Sequence, residues 1–252
     1  MNNFKFYRKI KLTDQKVQKA FSKLSNLYNK IPETEGCLEN INKENGCESS
    51  CCLLQTPQLL YIEFLYLWNA IRKNISNKII CELIEKSMKN SVIGETTKGC
   101  IFFNKTNKKC DVHKWRCYNC RLYGITPEEE FKPRYEKMKK IYKNVVGAVI
   151  KEQCSLITTI NKKKVTVKDT DRWWSELVDI EHSIGIPENK INDDVKGGSY
   201  RTPHDHLLLY LMPENILGGL SGIRLYDNKE DKRREVEKLI NIIKTFYKIK
   251  NG

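Results

Sequence analysis

The residues of this 252-residue chain best suited to chemistry are its ten cysteines. Cys81 and Cys154 stand alone, and we expect them to be packed free cysteines, which behave as small hydrophobic residues. The other eight lie beside glycines or polar residues and fall into two groups. These are Cys37, Cys47, Cys51 and Cys52, and then Cys100, Cys110, Cys117 and Cys120. Thiolates are soft donors that suit zinc, Cu(I) and iron–sulfur centres, so these eight are the predicted metal ligands.

The spacing within the two groups favours a cluster over a single zinc ion. Cys117 and Cys120 form a CxxC motif, whose two sulfurs can face one centre from a single turn. Cys51 and Cys52 are adjacent, and because consecutive side chains usually diverge, they suit two corners of a cluster or two neighbouring metals. The sequence therefore predicts an iron–sulfur cluster as the cofactor, with zinc as the alternative.

The N-terminal sequence favours reduced thiols over disulfides. It carries basic residues but no apolar signal core and no small-residue cleavage site, so we expect a cytoplasmic protein, in which thiols stay reduced. No apolar run approaches the roughly 18 residues that a membrane span requires. A membrane-spanning segment is therefore not expected.

With these motifs the chain resembles the YkgJ-type cysteine-cluster family, described as zinc- or iron-chelating. The resemblance covers roughly residues 36 to 124. It rests on the stretch 46–52, followed by 55–57 and Glu63, and on 99–103, 110–113 and 116–123. It implies a metal or iron–sulfur site built from Cys37, Cys47, Cys51, Cys52, Cys100, Cys110 and Cys120. At Cys117 the family usually has proline, so this cysteine is an extra ligand, an exchangeable ligand or a bystander.

Three histidines are candidate cofactor-binding residues. His113 follows Cys110 by three residues and is either a ligand, a hydrogen-bond donor that tunes a cluster sulfur, or solvent-exposed. His204 and His206 stand two apart, so on a regular helix their side chains point about 200° apart and do not share one metal. They are either ligands or proton-transfer groups near the cluster, or a capping and a packed histidine.

Glu63 falls in a strongly apolar stretch, where an unpaired buried carboxylate would be costly. It either binds the metal or pairs with Arg116 or Arg121, and we expect the arginine pair.

The elements that must position these residues are mostly helices. Apolar spacing and capping signals predict helices over residues 13–28, 59–71, 77–89, 126–143, 171–182, 204–211 and 228–248. Thr126 is the predicted N-cap of the helix over 126–143, and Thr202 with Pro203 caps the helix over 204–211. A β-hairpin is predicted over 155–167, around Asn161. The expected fold is mainly α with little β, with irregular cysteine-rich loops wrapped around the metal site and shielded by helices. Residues 1–150 would form the metal-binding region, and residues 151–252 a helical region packed on it as one unit.

The net charge of +14 does not favour nucleic acid as a partner, because the lysines are scattered rather than gathered in a stripe. An acidic protein or a redox partner is the expected partner.

Three functions fit the sequence. The first is an iron–sulfur protein of electron transfer or metallocentre assembly. The second is a metal-dependent enzyme with an open cluster site facing the Tyr200–His206 segment, and the third is a structural zinc protein that docks an acidic partner. Whether the chain is an enzyme stays open, since the usual nucleotide-binding and hydrolase motifs are absent from the sequence.

Overall fold

The computed structural model of the protein describes residues 5–36, 52, 56–93, 99–104, 106–143, 152–196 and 201–249. Helices dominate this part of the chain, which confirms the prediction of a mainly α fold. In chain order they are α1 (Lys5–Arg8), α2 (Gln15–Lys30), α3 (Tyr61–Ile71), α4 (Asn77–Ile93), α5 (Tyr118–Leu122), α6 (Glu128–Tyr142), α7 (Val167–Ser183), α8 (Glu188–Lys196), α9 (Pro203–Leu211), α10 (Glu214–Ile223) and α11 (Lys229–Ile249). A 3₁₀ turn covers His113–Trp115.

The described strands are two residues long and pair in two antiparallel ladders. Strand β1 (Thr34–Glu35) pairs with β4 (Thr158–Thr159), with Thr34 opposite Thr159. Strand β2 (Phe103–Asn104) pairs with β3 (Lys109–Cys110), with Phe103 opposite Cys110. Both ladders border the cysteine-bearing segments, so their contribution to the fold is to position loops rather than to build a sheet.

Helix α3 lies at the centre of the larger apolar core. It is apolar around most of its circumference, as expected of a helix buried on all sides, and Ile62, Phe64 and Leu65 have no exposed surface. Helix α2 is amphipathic and packs its apolar face against α3 and α7. Leu24 of α2 and Leu177 of α7 belong to the same apolar cluster.

A second apolar cluster joins α4, α9, α10 and α11. Met88, Leu208 and Val236 lie in it and are almost fully buried. Among the described residues, no helix is both long and apolar enough to cross a membrane. The boundary predicted near residue 150 falls outside the described residues.

The predicted hairpin over 155–167 is wrong. Its strand residues Thr158 and Thr159 pair instead with β1, and the residues after Asn161 lead into α7, which Thr166 caps through Asp169. These residues therefore pair with a strand more than 120 positions away in the chain and not with the segment that follows them.

Local helix signals were more successful. Thr202 and Pro203 begin α9 as predicted, with a capping box between Thr202 and Asp205. At α6 the N-cap is Pro127 rather than the expected Thr126, because the Thr126 hydroxyl donates to the Leu122 carbonyl at 3.0 Å.

Candidate metal centre

Five of the eight predicted cysteine ligands line one cavity of about 190 Å³. We call it the cysteine cavity. Its cysteines are Cys52, Cys100, Cys110, Cys117 and Cys120. The other predicted ligands, Cys37, Cys47 and Cys51, lie outside the described residues. Three segments well separated in the chain thus contribute cysteines to the lining of one cavity.

Backbone hydrogen bonds join the first two of these segments. The N–H of Cys100 donates to the carbonyl of Cys52 at 2.9 Å, and the Thr56 hydroxyl donates to the Gly99 carbonyl at 2.7 Å. Gly99 has φ +117°, a conformation that a residue with a side chain rarely adopts. The turn that presents Cys100 therefore depends on a glycine immediately before it.

The short β2–β3 ladder brings Cys110 back towards Cys100. Phe103 stands opposite Cys110, and the Asp111 N–H donates to the Phe102 carbonyl at 3.0 Å. In addition, the backbone N–H groups of Phe102 and Val112 act to lower the pKa of Cys100 and Cys110, against the effect of burial. Hydrogen bonds to cysteine sulfur are one of the means by which proteins tune thiolate-bound clusters.

The CxxC motif enters the cavity at the start of α5. Cys117 is the N-cap residue of this helix, is 4% exposed, and has its sulfur 3.6 Å from that of Cys120. The two sulfurs therefore lie side by side, as a CxxC ligand pair requires.

Glu63 fixes this motif, although not through the arginine that we expected. Its carboxylate accepts hydrogen bonds from the Tyr28 hydroxyl at 2.7 Å, the Leu60 N–H at 2.9 Å and the Tyr118 N–H at 2.6 Å. Arg121 instead lies over the Tyr28 ring, 4.1 Å from its centroid. Burial raises the pKa of Glu63, while the three hydrogen bonds and the nearby Arg121 act against that rise.

The surroundings raise the pKa of three of the cavity thiols, those of Cys100, Cys110 and Cys120. Burial raises the pKa of Cys110 to about 11 and raises that of Cys100 further, with neighbouring thiols adding to the effect. For Cys120, the hydrogen bond shared with Cys117 and burial both raise the pKa. A cation entering the cavity would therefore displace protons.

The described cysteines do not by themselves form a complete ion site. No group of three or more His, Cys, Asp or Glu side chains among the described residues is arranged to hold a metal ion. The sulfurs thus share a cavity without converging on one point.

Of the three candidate histidines, His113 lies at the cysteine cavity. The Arg116 guanidinium donates to its ring, with Nη1 2.6 Å from Nε2. His206 is 2% exposed, its Nε2 donates to the Leu59 carbonyl at 2.9 Å, and its ring stacks on Phe64 with centroids 5.6 Å apart. His206 is thus a packed residue of the helical core.

His204 lies apart from the cysteine cavity as well. Of residues 201–206, Pro203 is the one that lines the cavity. Burial lowers the pKa of His204, and its Nδ1 is buried with no hydrogen-bond partner among the described residues. Tyr200, at the start of the segment considered for an enzyme site, lies outside the described residues.

The two isolated cysteines, Cys81 and Cys154, are free and partly buried. Neither lines the cysteine cavity. This agrees with the distinction that the sequence analysis made between them and the other cysteines.

A second, larger cavity adjoins the cysteine cavity, and the sequence analysis missed it. Thr34, His113 and Arg116 line both. The signal for it in the sequence is the pair of arginines that flanks the CxxC motif, Arg116 and Arg121.

No family model, curated protein or solved structure matches the chain. The resemblance to the YkgJ-type family therefore stays a hypothesis that rests on the cysteine motifs.

Proposed function

We propose that this chain binds an iron–sulfur cluster, or another thiolate-coordinated metal, and acts in electron transfer or metallocentre assembly. The observation that carries the proposal is the shared cavity of Cys52, Cys100, Cys110, Cys117 and Cys120. Sulfur is the donor that iron–sulfur clusters and thiolate zinc sites use. Among the described residues the lining holds five cysteines and His113 but no carboxylate, which suits a soft metal better than magnesium or calcium, which take oxygen ligands.

The pattern of burial supports this proposal over ordinary packing. Free cysteines that pack as small hydrophobic residues are not expected to gather in one cavity. Cys81 and Cys154, accordingly, do not line the cysteine cavity. The five cavity cysteines come from three separate segments, and backbone N–H groups act to lower the pKa of two of them, Cys100 and Cys110. Such donors stabilise a thiolate, which is the form that binds metal.

The complete ligand set in this proposal includes cysteines of the first group. The described cysteines alone do not form an ion site, so the proposal requires ligands from among Cys37, Cys47 and Cys51. A site closed entirely by cysteines would suit electron transfer or cluster handling. The enzyme alternative has less support, because neither His204 nor His206 lines the cysteine cavity.

The test is anaerobic purification followed by iron, zinc and acid-labile sulfide analysis with an absorption spectrum. We expect iron and sulfide in comparable amounts and a visible band that bleaches on reduction. Zinc without sulfide in a colourless sample would leave a structural zinc protein and overturn the cluster. A folded protein that takes up neither metal, even after anaerobic reconstitution, would overturn the whole proposal.

A matched pair of variants separates the metal site from general folding. The double change Cys100→Ser and Cys110→Ser should abolish most of the bound metal. The control, Cys81→Ser with Cys154→Ser, makes the same chemical change outside the cavity and should leave the metal content unchanged. Equal loss in both would indicate that the metal follows overall cysteine content and not the cavity.

A further inference from the structure

The larger of the two adjoining cavities is a cleft of about 840 Å³ with a strongly basic lining, which we call the basic cleft. Three chain segments form it, at 28–34, 113–121 and 160–163. The β1–β4 pairing joins the first and third of these segments, and the Ile160 N–H donates to the Glu33 carbonyl at 3.0 Å. Its volume falls in the usual range for small-molecule sites, about 300–1,000 Å³.

Among the described residues, five cationic side chains line the basic cleft and one carboxylate, that of Glu33, opposes them. The cations are Lys30, Lys114, Arg116, Arg121 and Lys163. Lys30 has a carboxylate partner outside the lining, Glu176, at 2.7 Å. The remaining positive charge is concentrated at one concave place, in contrast to the lysines of the helices.

The two arginines are held in position by neutral groups. Arg116 donates to the Thr34 hydroxyl at 2.8 Å and to the His113 ring. Arg121 donates to the carbonyls of Arg116 at 2.9 Å and Lys114 at 3.1 Å. These contacts fix the guanidinium groups without neutralising their charge, so the cost of ordering them is met before any ligand arrives.

Elsewhere in the described chain, cations are commonly paired with carboxylates. Lys89 contacts Glu85 and Glu237, and Lys238 contacts Glu235. In the basic cleft, by contrast, one buried donor is unsatisfied: the Nε of Arg116 has no hydrogen-bond partner among the described residues. A buried donor without an acceptor is unfavourable.

We infer that the basic cleft binds a small molecule carrying two or more phosphate or carboxylate groups. Oxyanions are the ligands that ordered guanidinium and ammonium groups select. The bound molecule would lie next to His113, at the wall that the cleft shares with the cysteine cavity. The inference does not depend on whether the cysteine cavity holds a metal.

The experiment is isothermal titration of the full chain, as purified, with pyrophosphate and with citrate at constant ionic strength. Saturable binding of either probe at one site per chain supports the inference, and the preferred probe identifies phosphate or carboxylate as the recognised group. Binding of neither probe overturns it. A short single-stranded oligonucleotide provides a third arm, and overturns the small-molecule assignment if it binds more tightly than both probes at the same residues.

The lysines of the cleft provide a variant that should not disturb folding, because Lys114 and Lys163 are exposed. The double change Lys114→Gln and Lys163→Gln should weaken binding about tenfold. The control is Lys140→Gln with Lys168→Gln, which removes two exposed charges outside the cleft lining and should have little effect. Equal weakening in both variants would show general electrostatic attraction and overturn the site. The metal content of each variant, measured in parallel, separates this result from the test of the cysteine cavity.

Discussion

The carboxylate of Glu63 accepts a hydrogen bond from the backbone N–H of Tyr118 at 2.6 Å. This bond ties the first turn of the buried helix α3 to the residue that immediately follows Cys117. The same carboxylate accepts from Leu60 in its own helix. A single buried side chain thus sets the position of the CxxC motif relative to the apolar core.

We expect Glu63→Gln to destabilise the protein by about 1–3 kcal/mol. The glutamine amide replaces one of the two acceptor oxygens by an NH₂ group, which would face an N–H or O–H donor instead of accepting from it. The free energy of unfolding in urea measures this. Bound metal should fall as well, since the change loosens the CxxC turn. Glu128→Gln, at a side chain that is 83% exposed, is the control and should change neither quantity. Unaltered stability in Glu63→Gln would mean that the carboxylate does not anchor the motif.

Tyr28→Phe should cost about 1–3 kcal/mol of unfolding free energy, since it removes a hydrogen bond to a buried carboxylate while keeping the ring under Arg121. The Tyr28 hydroxyl lies 2.7 Å from the Glu63 carboxylate. Tyr226→Phe, at a largely exposed tyrosine, makes the same chemical change and should be neutral. Similar unfolding curves for the two variants would contradict the assigned contact.

Glu181 should make stability fall as the pH rises from about 5 to 8. Its carboxylate accepts from the Tyr61 and Ile62 N–H groups at 3.1 and 2.8 Å. Burial raises its pKa to about 7 from an ordinary value of 4.5; the two N–H donors and Arg201 oppose the shift, and nearby Glu63 adds to it. The folded state therefore binds a proton that the unfolded state has lost, and this contribution disappears as the pH rises through about 7.

The measurement is the free energy of unfolding in urea between pH 5 and 8, for the unmodified protein and for Glu181→Gln. The difference between the two isolates Glu181 from other groups that titrate in this range, such as His204, whose lowered pKa acts in the opposite sense. The variant should lose more stability relative to the unmodified protein at pH 5 than at pH 8. A pH-independent difference would show that Glu181 has an ordinary pKa.

Removal of the metal should lower the thermal unfolding midpoint, because binding free energy at a structural site adds to folding free energy. Anaerobic treatment with a chelator, followed by thermal unfolding with and without re-added iron and sulfide, would measure the change. The Cys100→Ser and Cys110→Ser double variant should show no difference between the two conditions. If the chelator removed the metal and left the thermal unfolding midpoint unchanged, the metal would not contribute to the stability of the fold.

The sequence by itself determined the features that depend on near neighbours. The capping signal at Thr202 and Pro203 predicted the start of α9, because the cap bonds span only three residues. The apolar run of 59–71 predicted α3, and the division between grouped and isolated cysteines agrees with which described ones line the cavity. Cys37, Cys47 and Cys51 stay predictions, since they lie outside the described residues.

Only the tertiary structure decided which distant groups meet. Thr159 looked like part of a local hairpin but pairs with Thr34, and that pairing creates a wall of the basic cleft. An arginine partner was expected for Glu63, but its carboxylate accepts hydrogen bonds from the Tyr28 hydroxyl and two backbone N–H groups instead. Local signals follow from bonds between residues a few positions apart, whereas these partners are chosen by the packing of helices around one core, which no short stretch of sequence encodes.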